Sequence, residues 1–208
     1  MLLAKEPIPG RVKTRLHPPL SLEQAADLAS AAIQDTLEAL REVPAADRIL
    51  AYDGATAPAD TEDYEILPQV EGALDERLAA IFDARSRGPL LLVGMDTPQL
   101  RASDLAPAFG DWPEEIDAWF GPAADGGWWA LGMREPRGDL IRGIPTSRDD
   151  TGERQLARLR AAGLRVGLLP ELVDVDDIQS ALEVAEVAPD GRFAAALDRA
   201  LAARVASR

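Results

Sequence analysis

The sequence contains no cysteine. That absence excludes a disulfide framework, a thiolate zinc site and a cysteine nucleophile, and it fits a reducing compartment. Histidine is almost as scarce. His17 is the only one, followed by Pro18 and Pro19, so a His-rich metal site cannot be assembled, and His17 reads as a surface or capping residue. No apolar run approaches the roughly 20 residues needed to cross a bilayer. The opening Met-Leu-Leu-Ala-Lys turns polar too early for a secretory signal. A cytoplasmic protein with no membrane span is therefore expected. No serine sits in a nucleophile elbow, and there is neither an internal repeat nor a low-complexity linker.

Positive charge is also in short supply. Lys and Arg number 22 against 36 Asp and Glu, a net charge of −14. Such a surface repels phosphate backbones and argues against nucleic acid as a partner. Within this acidic chain, Lys5, Arg11, Lys13 and Arg15 form a basic island opposed only by Glu6, which is the signature of a local anion site or of a solvated basic loop.

What is present is enough for one domain over residues 1–208, with 47% apolar residues and a real core. Apolar runs alternate with amphipathic stretches, the pattern of an α/β fold. Strands are expected at Leu2–Ala4, Arg48–Tyr52, Tyr64–Leu67, Leu90–Val93, Ala118–Phe120, Trp128–Gly132 and Arg165–Leu169. Helices are expected at Ser21–Glu42 with Ser21 as N-cap, Ala73–Arg85, Thr151–Ala162, Ile178–Val187 and Gly191–Val205. The first strand is short, so either its edge is clipped or the natural chain begins further upstream. The apolar stripe of the last helix is expected to cover the sheet or to meet a second subunit in a homodimer.

Four segments carry the chemistry. Lys5-Glu6-Pro7-Ile8-Pro9-Gly10-Arg11-Val12-Lys13-Thr14-Arg15 joins a strand to a helix, where ligands bind in α/β sheets. Pro9 stiffens this loop, and Gly10 lets the backbone turn or approach a ligand. Lys13 and Arg15 supply charge for phosphate oxygens. The glycine spacing of a Walker A loop is absent. The second segment is the buried run Leu90–Val93, followed by Gly94-Met95-Asp96-Thr97-Pro98. A carboxylate there needs a metal ion or hydrogen bonds, or else serves as a turn former. In the third, Asp125-Gly126-Gly127 signals a hairpin turn. It also suits a glycine-lined floor, with Asp125 near the reacting group and one of Trp128 and Trp129 lining the site, because alternation points them to opposite faces. Finally, Asp174 and Asp176 lie on one side of an extended segment and suit a hard divalent cation, while Asp177 reads as a helix start.

Taken together, these segments resemble a known family. Pro7-Ile8-Pro9-Gly10-Arg11-Val12-Lys13-Thr14-Arg15-Leu16, Gly94-Met95-Asp96-Thr97-Pro98, Gly121-Pro122-Ala123-Ala124-Asp125-Gly126-Gly127 and Asp174-Val175-Asp176 are similar to the motifs of the radical-SAM/selenodomain-associated transferases. That glycosyltransferase-like family is related in fold to 2-phospholactate guanylyltransferase and the molybdenum-cofactor guanylyltransferases. Gln69 and Gly72 fall where the family has Gln-x-x-Gly ahead of a helix, which places them with the nucleotide. Met95 stands where serine is usual, Trp128-Trp129 where tyrosines are common, and Asp177 where Thr-Pro is frequent.

The resemblance implies a GT-A-like, nucleotide-diphospho-sugar transferase fold: a three-layer α/β/α sandwich around a mixed, mainly parallel sheet. It implies Mg²⁺ or Mn²⁺ held by Asp96, Asp174 and Asp176. Lys5, Pro9, Gly10, Lys13, Arg15, Gln69 and Gly72 would bind the nucleotide and its phosphates. Asp125 would be catalytic, and Gly126, Gly127 and Trp128 would meet substrate. The expected activity is metal-dependent transfer from a nucleotide or nucleotide-sugar donor to a small-molecule acceptor. The alternatives are nucleotidyl transfer with release of pyrophosphate, and a non-catalytic nucleotide-binding module.

Overall fold

The computed structural model describes residues 1–85, 88–109 and 112–206. Among the described residues seven strands form one sheet: β1 (Leu2–Lys5), β2 (Ile49–Asp53), β3 (Glu65–Pro68), β4 (Leu90–Gly94), β5 (Ala118–Pro122), β6 (Trp128–Met133) and β7 (Val166–Leu168). Their order is β3-β2-β1-β4-β6-β5-β7. Only β6 runs against its neighbours β4 and β5; every other pairing of these strands is parallel. This is the mixed, mainly parallel sheet expected from the sequence. The helices are α1 (Leu22–Arg41), α2 (Leu74–Ala84), the short α3 (Ala102–Leu105), α4 (Thr151–Ala161), α5 (Ile178–Val187) and α6 (Arg192–Ala206). Among the described residues no helix is long and apolar enough to cross a membrane.

Local chemistry explains several of these boundaries. Ser21 opens α1 through a capping box: its hydroxyl accepts from the Gln24 amide at 3.1 Å, and the Gln24 side chain accepts from the Ser21 amide at 2.8 Å. Two otherwise orphaned donors are thereby satisfied. Asp177 does the same for α5, accepting from the Ser180 amide at 2.9 Å. The short α3 has too few residues for a periodic signal, and the sequence did not announce it.

Strand alternation splits the core into two faces. On one, Leu2, Leu50, Val93 and Trp129 pack against Ala29, Ile33 and Leu37 of α1. On the other, Ala51, Leu92, Phe120 and Leu131 pack against Leu78 and Phe82 of α2 and Leu159 of α4. A third cluster joins α1, α5 and α6, and it buries Phe193, Leu197 and Ala200 of α6. The stripe on the last helix is therefore covered by its own chain. Leu16, Leu20 and Val175 enter the same cluster from two loops. That cluster ties both loops to α1, α5 and α6.

Candidate functional site

The ends of β1, β4 and β5 lie on one edge of the sheet, and segment 172–176 is laid along it. Ala123 bridges Leu172 in parallel fashion. The Ala124 amide donates to Leu172 O at 3.0 Å, and the Val175 amide donates to Asp96 O at 2.8 Å. Val175 is fully buried in the helical cluster. In an extended segment its two neighbours must point the other way. Asp174 and Asp176 accordingly line a cleft of about 540 Å³, together with Asp96 and Asp125.

Three carboxylates converge there. Oxygens of Asp125, Asp174 and Asp176 all lie within 4.8 Å of one another. Burial, followed by the adjacent Asp125 charge, pushes Asp174 up to about 6, and Asp176 adds to the rise while Lys13 opposes it. Crowded, partly desolvated carboxylates resist ionising together, so a cation would relieve the repulsion. Carboxylate oxygens, all hard donors, suit Mg²⁺ or Mn²⁺ by their chemistry.

Asp125 owes its position to its glycines. Its Oδ1 accepts from the Gly127 amide at 2.7 Å. Gly126 has φ +87° and would place a Cβ 1.9 Å from Asp149 O. The Gly152 amide donates to Gly126 O at 2.8 Å. The hairpin turn is thus locked against the segment that enters α4. That segment supplies a cleft wall of Thr146, Ser147, Arg148, Asp149 and Thr151. Sequence reasoning missed this wall, whose only signal was a polar run before a helix.

The basic loop reaches the same edge. Lys13 has a side chain only 7% exposed and pairs with the Asp96 carboxylate, while its ammonium also donates to Val175 O. Arg15, 74% exposed, pairs with Asp176 at 2.6 Å. Asp96 lines the same cleft as the late aspartates, with its carboxylate on Lys13, and Asp125, expected as the catalytic group, lies closest to those aspartates. Gly10 adopts φ +77° at the loop's turn.

Of the expected residues, Arg15, Asp96, Asp125, Gly127, Trp128, Asp174 and Asp176 line the cleft. Lys5, Pro9, Gly10, Lys13, Gln69, Gly72 and Gly126 do not. Gln69 is committed to the sheet: its amide donates to Ala4 O and Ala51 O, each at 2.8 Å, and its carbonyl accepts from Arg77. It clips β1 to β2 at their ends. Gly72 is exposed, with φ +129°. The two tryptophans separate as alternation requires. Trp129 is buried in one face's core, with its Nε1–H donating to Pro170 O at 2.9 Å, and half-buried Trp128 packs on the other face; both nevertheless border the cleft, where only one was expected.

Comparison with known proteins agrees with this architecture. Residues 36–148 match the model of a family described as uncharacterized protein conserved in bacteria (DUF2064). The structure is similar to that of a candidate nucleotide-diphospho-sugar transferase from Desulfovibrio desulfuricans G20, with 28% identity, a TM-score of 0.74, and 85% of this chain and 80% of that chain covered. It shares its fold with 2-C-methyl-D-erythritol 4-phosphate cytidylyltransferase from Thermus thermophilus, at 15% identity, a TM-score of 0.51, and 76% and 89% coverage. It also shares it with CMP:2-keto-3-deoxy-manno-octonic acid synthetase, solved with CTP, at 14% identity, a TM-score of 0.53, and 91% and 97% coverage. No curated protein matches the sequence significantly. The fold is that of the GT-A-like, nucleotide-diphospho-sugar transferases.

Proposed function

We propose that this chain, which belongs to the DUF2064 family, is a metal-dependent transferase that takes a nucleotide sugar as donor and glycosylates a small-molecule acceptor. Residues 1–208 would act as one domain. The observation that carries the reading is the meeting of Asp125, Asp174 and Asp176 with Arg15 in a cleft at the carboxyl edge of the strands. The similarity to the Desulfovibrio protein, whose description names a nucleotide-diphospho-sugar substrate class, supports it. The finer kinship to radical-SAM-associated transferases and 2-phospholactate guanylyltransferase rests on the motif pattern of the four segments.

The three carboxylates would hold Mg²⁺ or Mn²⁺. When bound, such an ion neutralises the negative charge that builds on a departing diphosphate. Arg15 is exposed and pairs with Asp176, so its guanidinium can exchange that carboxylate for donor phosphate oxygens in the bidentate geometry it favours. Trp128 offers an apolar face for a sugar ring. The wall of Thr146, Ser147, Arg148, Asp149 and Thr151 lines the same cleft and would border the acceptor. Glycosyl transfer breaks the bond between the anomeric carbon and the phosphate oxygen. The acceptor hydroxyl forms the new bond and gives its proton to a carboxylate oxygen of Asp125, which lines the cleft, and the nucleoside diphosphate leaves.

Product analysis tests the reading. The protein is incubated with Mn²⁺, pooled nucleotide sugars or nucleoside triphosphates, and a bacterial small-molecule extract. The expected result is nucleoside diphosphate formed from a nucleotide sugar, dependent on the extract and lost in Asp174→Asn. Release of pyrophosphate from a triphosphate would replace glycosyl transfer by nucleotidyl transfer. A thermal-shift screen that shows no stabilisation by any nucleotide, with or without Mn²⁺, would remove the nucleotide reading altogether.

A further inference from the structure

We propose that the acceptor carries a hydrocarbon body, and that Leu3, Leu74, Leu78 and Leu92 form the arm of the cleft that holds it, opened by the missing side chain of Gly94. The inference rests on the transferase reading above and names the class of its acceptor: an alcohol on an apolar body, not a polyol.

The cleft combines two chemistries. Its charged part holds Arg15 and the aspartates. Its other part is apolar, because Leu3, Leu74, Leu78 and Leu92 line the same cleft. Leu3 lies on β1 and Leu92 on β4, while Leu74 and Leu78 are four residues apart on α2 and so share one face of that helix. Strand register explains the opening between them. Leu3 is paired with Gly94 across β1 and β4, and Leu92 stands two residues before Gly94, so all three positions point to the face covered by α2 and α4. At the third position there is no side chain, and Gly94 borders the cleft. Beyond its chain neighbours, a Cβ there would meet no atom closer than Trp129 O at 3.9 Å. Leu78 and Leu92, 3% and 1% exposed, form a floor, whereas Leu74 is 36% exposed. The apolar core thus runs out uncovered into the cleft. The rim is polar and firmly held. The Thr151 hydroxyl accepts from the Arg148 amide at 3.1 Å and donates to Pro145 O at 3.0 Å, and Ser147 between them holds φ +59°. An apolar patch with a polar rim, continuous with a charged site, marks a ligand groove. Leucine side chains offer neither donor nor acceptor to a nucleobase, a ribose or a phosphate, so the donor's polar groups would lose water there without compensation. Trp128, which would face the sugar, packs on the same cluster as Leu3. A hydrocarbon body in the arm therefore lies on the sugar's side of the sheet.

The probe is para-fluorobenzyl alcohol, titrated into the full chain without nucleotide and followed by fluorine NMR, which reads binding and needs no activity. Saturable binding is expected, with no displacement by an excess of myo-inositol, a ring of similar size covered in hydroxyls. Leu74→Ser should weaken the probe by about tenfold, and Leu74→Met, which keeps the volume, by less than about twofold. Gly94→Val puts methyl groups into the arm and should also weaken the probe by about tenfold. With Mn²⁺ and pooled nucleotide sugars, the probe should be glycosylated and myo-inositol should not. No saturable binding, or binding indifferent to Leu74 and Gly94 in variants that melt as wild type does, would overturn the arm, and stabilisation of the same protein by a nucleotide would then leave the transferase reading standing. Glycosylation of myo-inositol in place of the probe would overturn the acceptor class. A chain that binds the probe but is stabilised by no nucleotide would lose the transferase reading, and the acceptor role with it.

Discussion

The Val175 amide donates to the Asp96 carbonyl across 2.8 Å, joining the end of β4 to the residue that separates the two late aspartates. The side chain of Val175 meanwhile packs into the helical cluster beside Leu16. The carboxylates of the cleft are therefore aimed by an apolar anchor on the opposite side of the backbone. Their geometry depends on core packing outside the cleft.

That dependence is testable at Leu16, which is fully buried in the same cluster. Leu16→Ala should cost roughly 2–5 kcal/mol in denaturant unfolding. Leu16→Met, which keeps the volume, should cost less than about 1.5 kcal/mol. Equal stabilities for the two variants would show that the anchor is not packed as described.

The carboxylate cluster should make the metal-free protein less stable as pH rises. Asp174 stands at about 6 in the folded chain against 3.8 as its ordinary value, raised first by burial and then by Asp125. A raised carboxylate favours the fold while protonated. Its contribution is complete below about pH 4 and is lost as pH climbs through about 6. Asp174→Asn mimics the protonated form. It should melt higher than wild type at about pH 7.5, with the difference shrinking towards zero at about pH 4. Melting curves without added metal read this directly, and a difference independent of pH would contradict it.

Gly126 is expected to tolerate no side chain. Its φ of +87° alone costs an L-residue roughly 1–2 kcal/mol. The added Cβ would also lie 1.9 Å from Asp149 O, so Gly126→Ala must move the turn away from the segment entering α4. Lower stability and weaker Mn²⁺ binding are expected together. Unchanged metal affinity would mean that Asp125 is placed by something other than this contact.

The adjacent tryptophans should answer differently to alanine. Trp129 is 2% exposed with its indole N–H bonded to Pro170 O. Its loss should cost roughly 3–5 kcal/mol. Trp128 borders the cleft, so Trp128→Ala should lose less stability and should abolish most of the change in tryptophan fluorescence on adding nucleotide sugar with Mn²⁺. A full fluorescence response in that variant would place the sugar elsewhere.

The sequence by itself determined the local elements. Short apolar runs marked the strands, periodicity marked the five long helices, Ser21 and Asp177 marked two helix starts, and Asp125-Gly126-Gly127 marked the β5–β6 turn. Each of these is a property of neighbours in the chain, where backbone sterics and side-chain spacing decide the outcome. The sequence also singled out the four segments that supply most of the cleft's charged groups. Only the tertiary structure decided how those segments pair. Lys13 meets Val175 across 162 residues, Asp125 meets Asp174 and Asp176, Gln69 turns into the sheet, and the Thr146–Thr151 wall closes the cleft. No local pattern encodes such partners. They follow from the order of strands in the sheet and from the burial of Leu16 and Val175 in one cluster, which bring together charges that the chain keeps far apart.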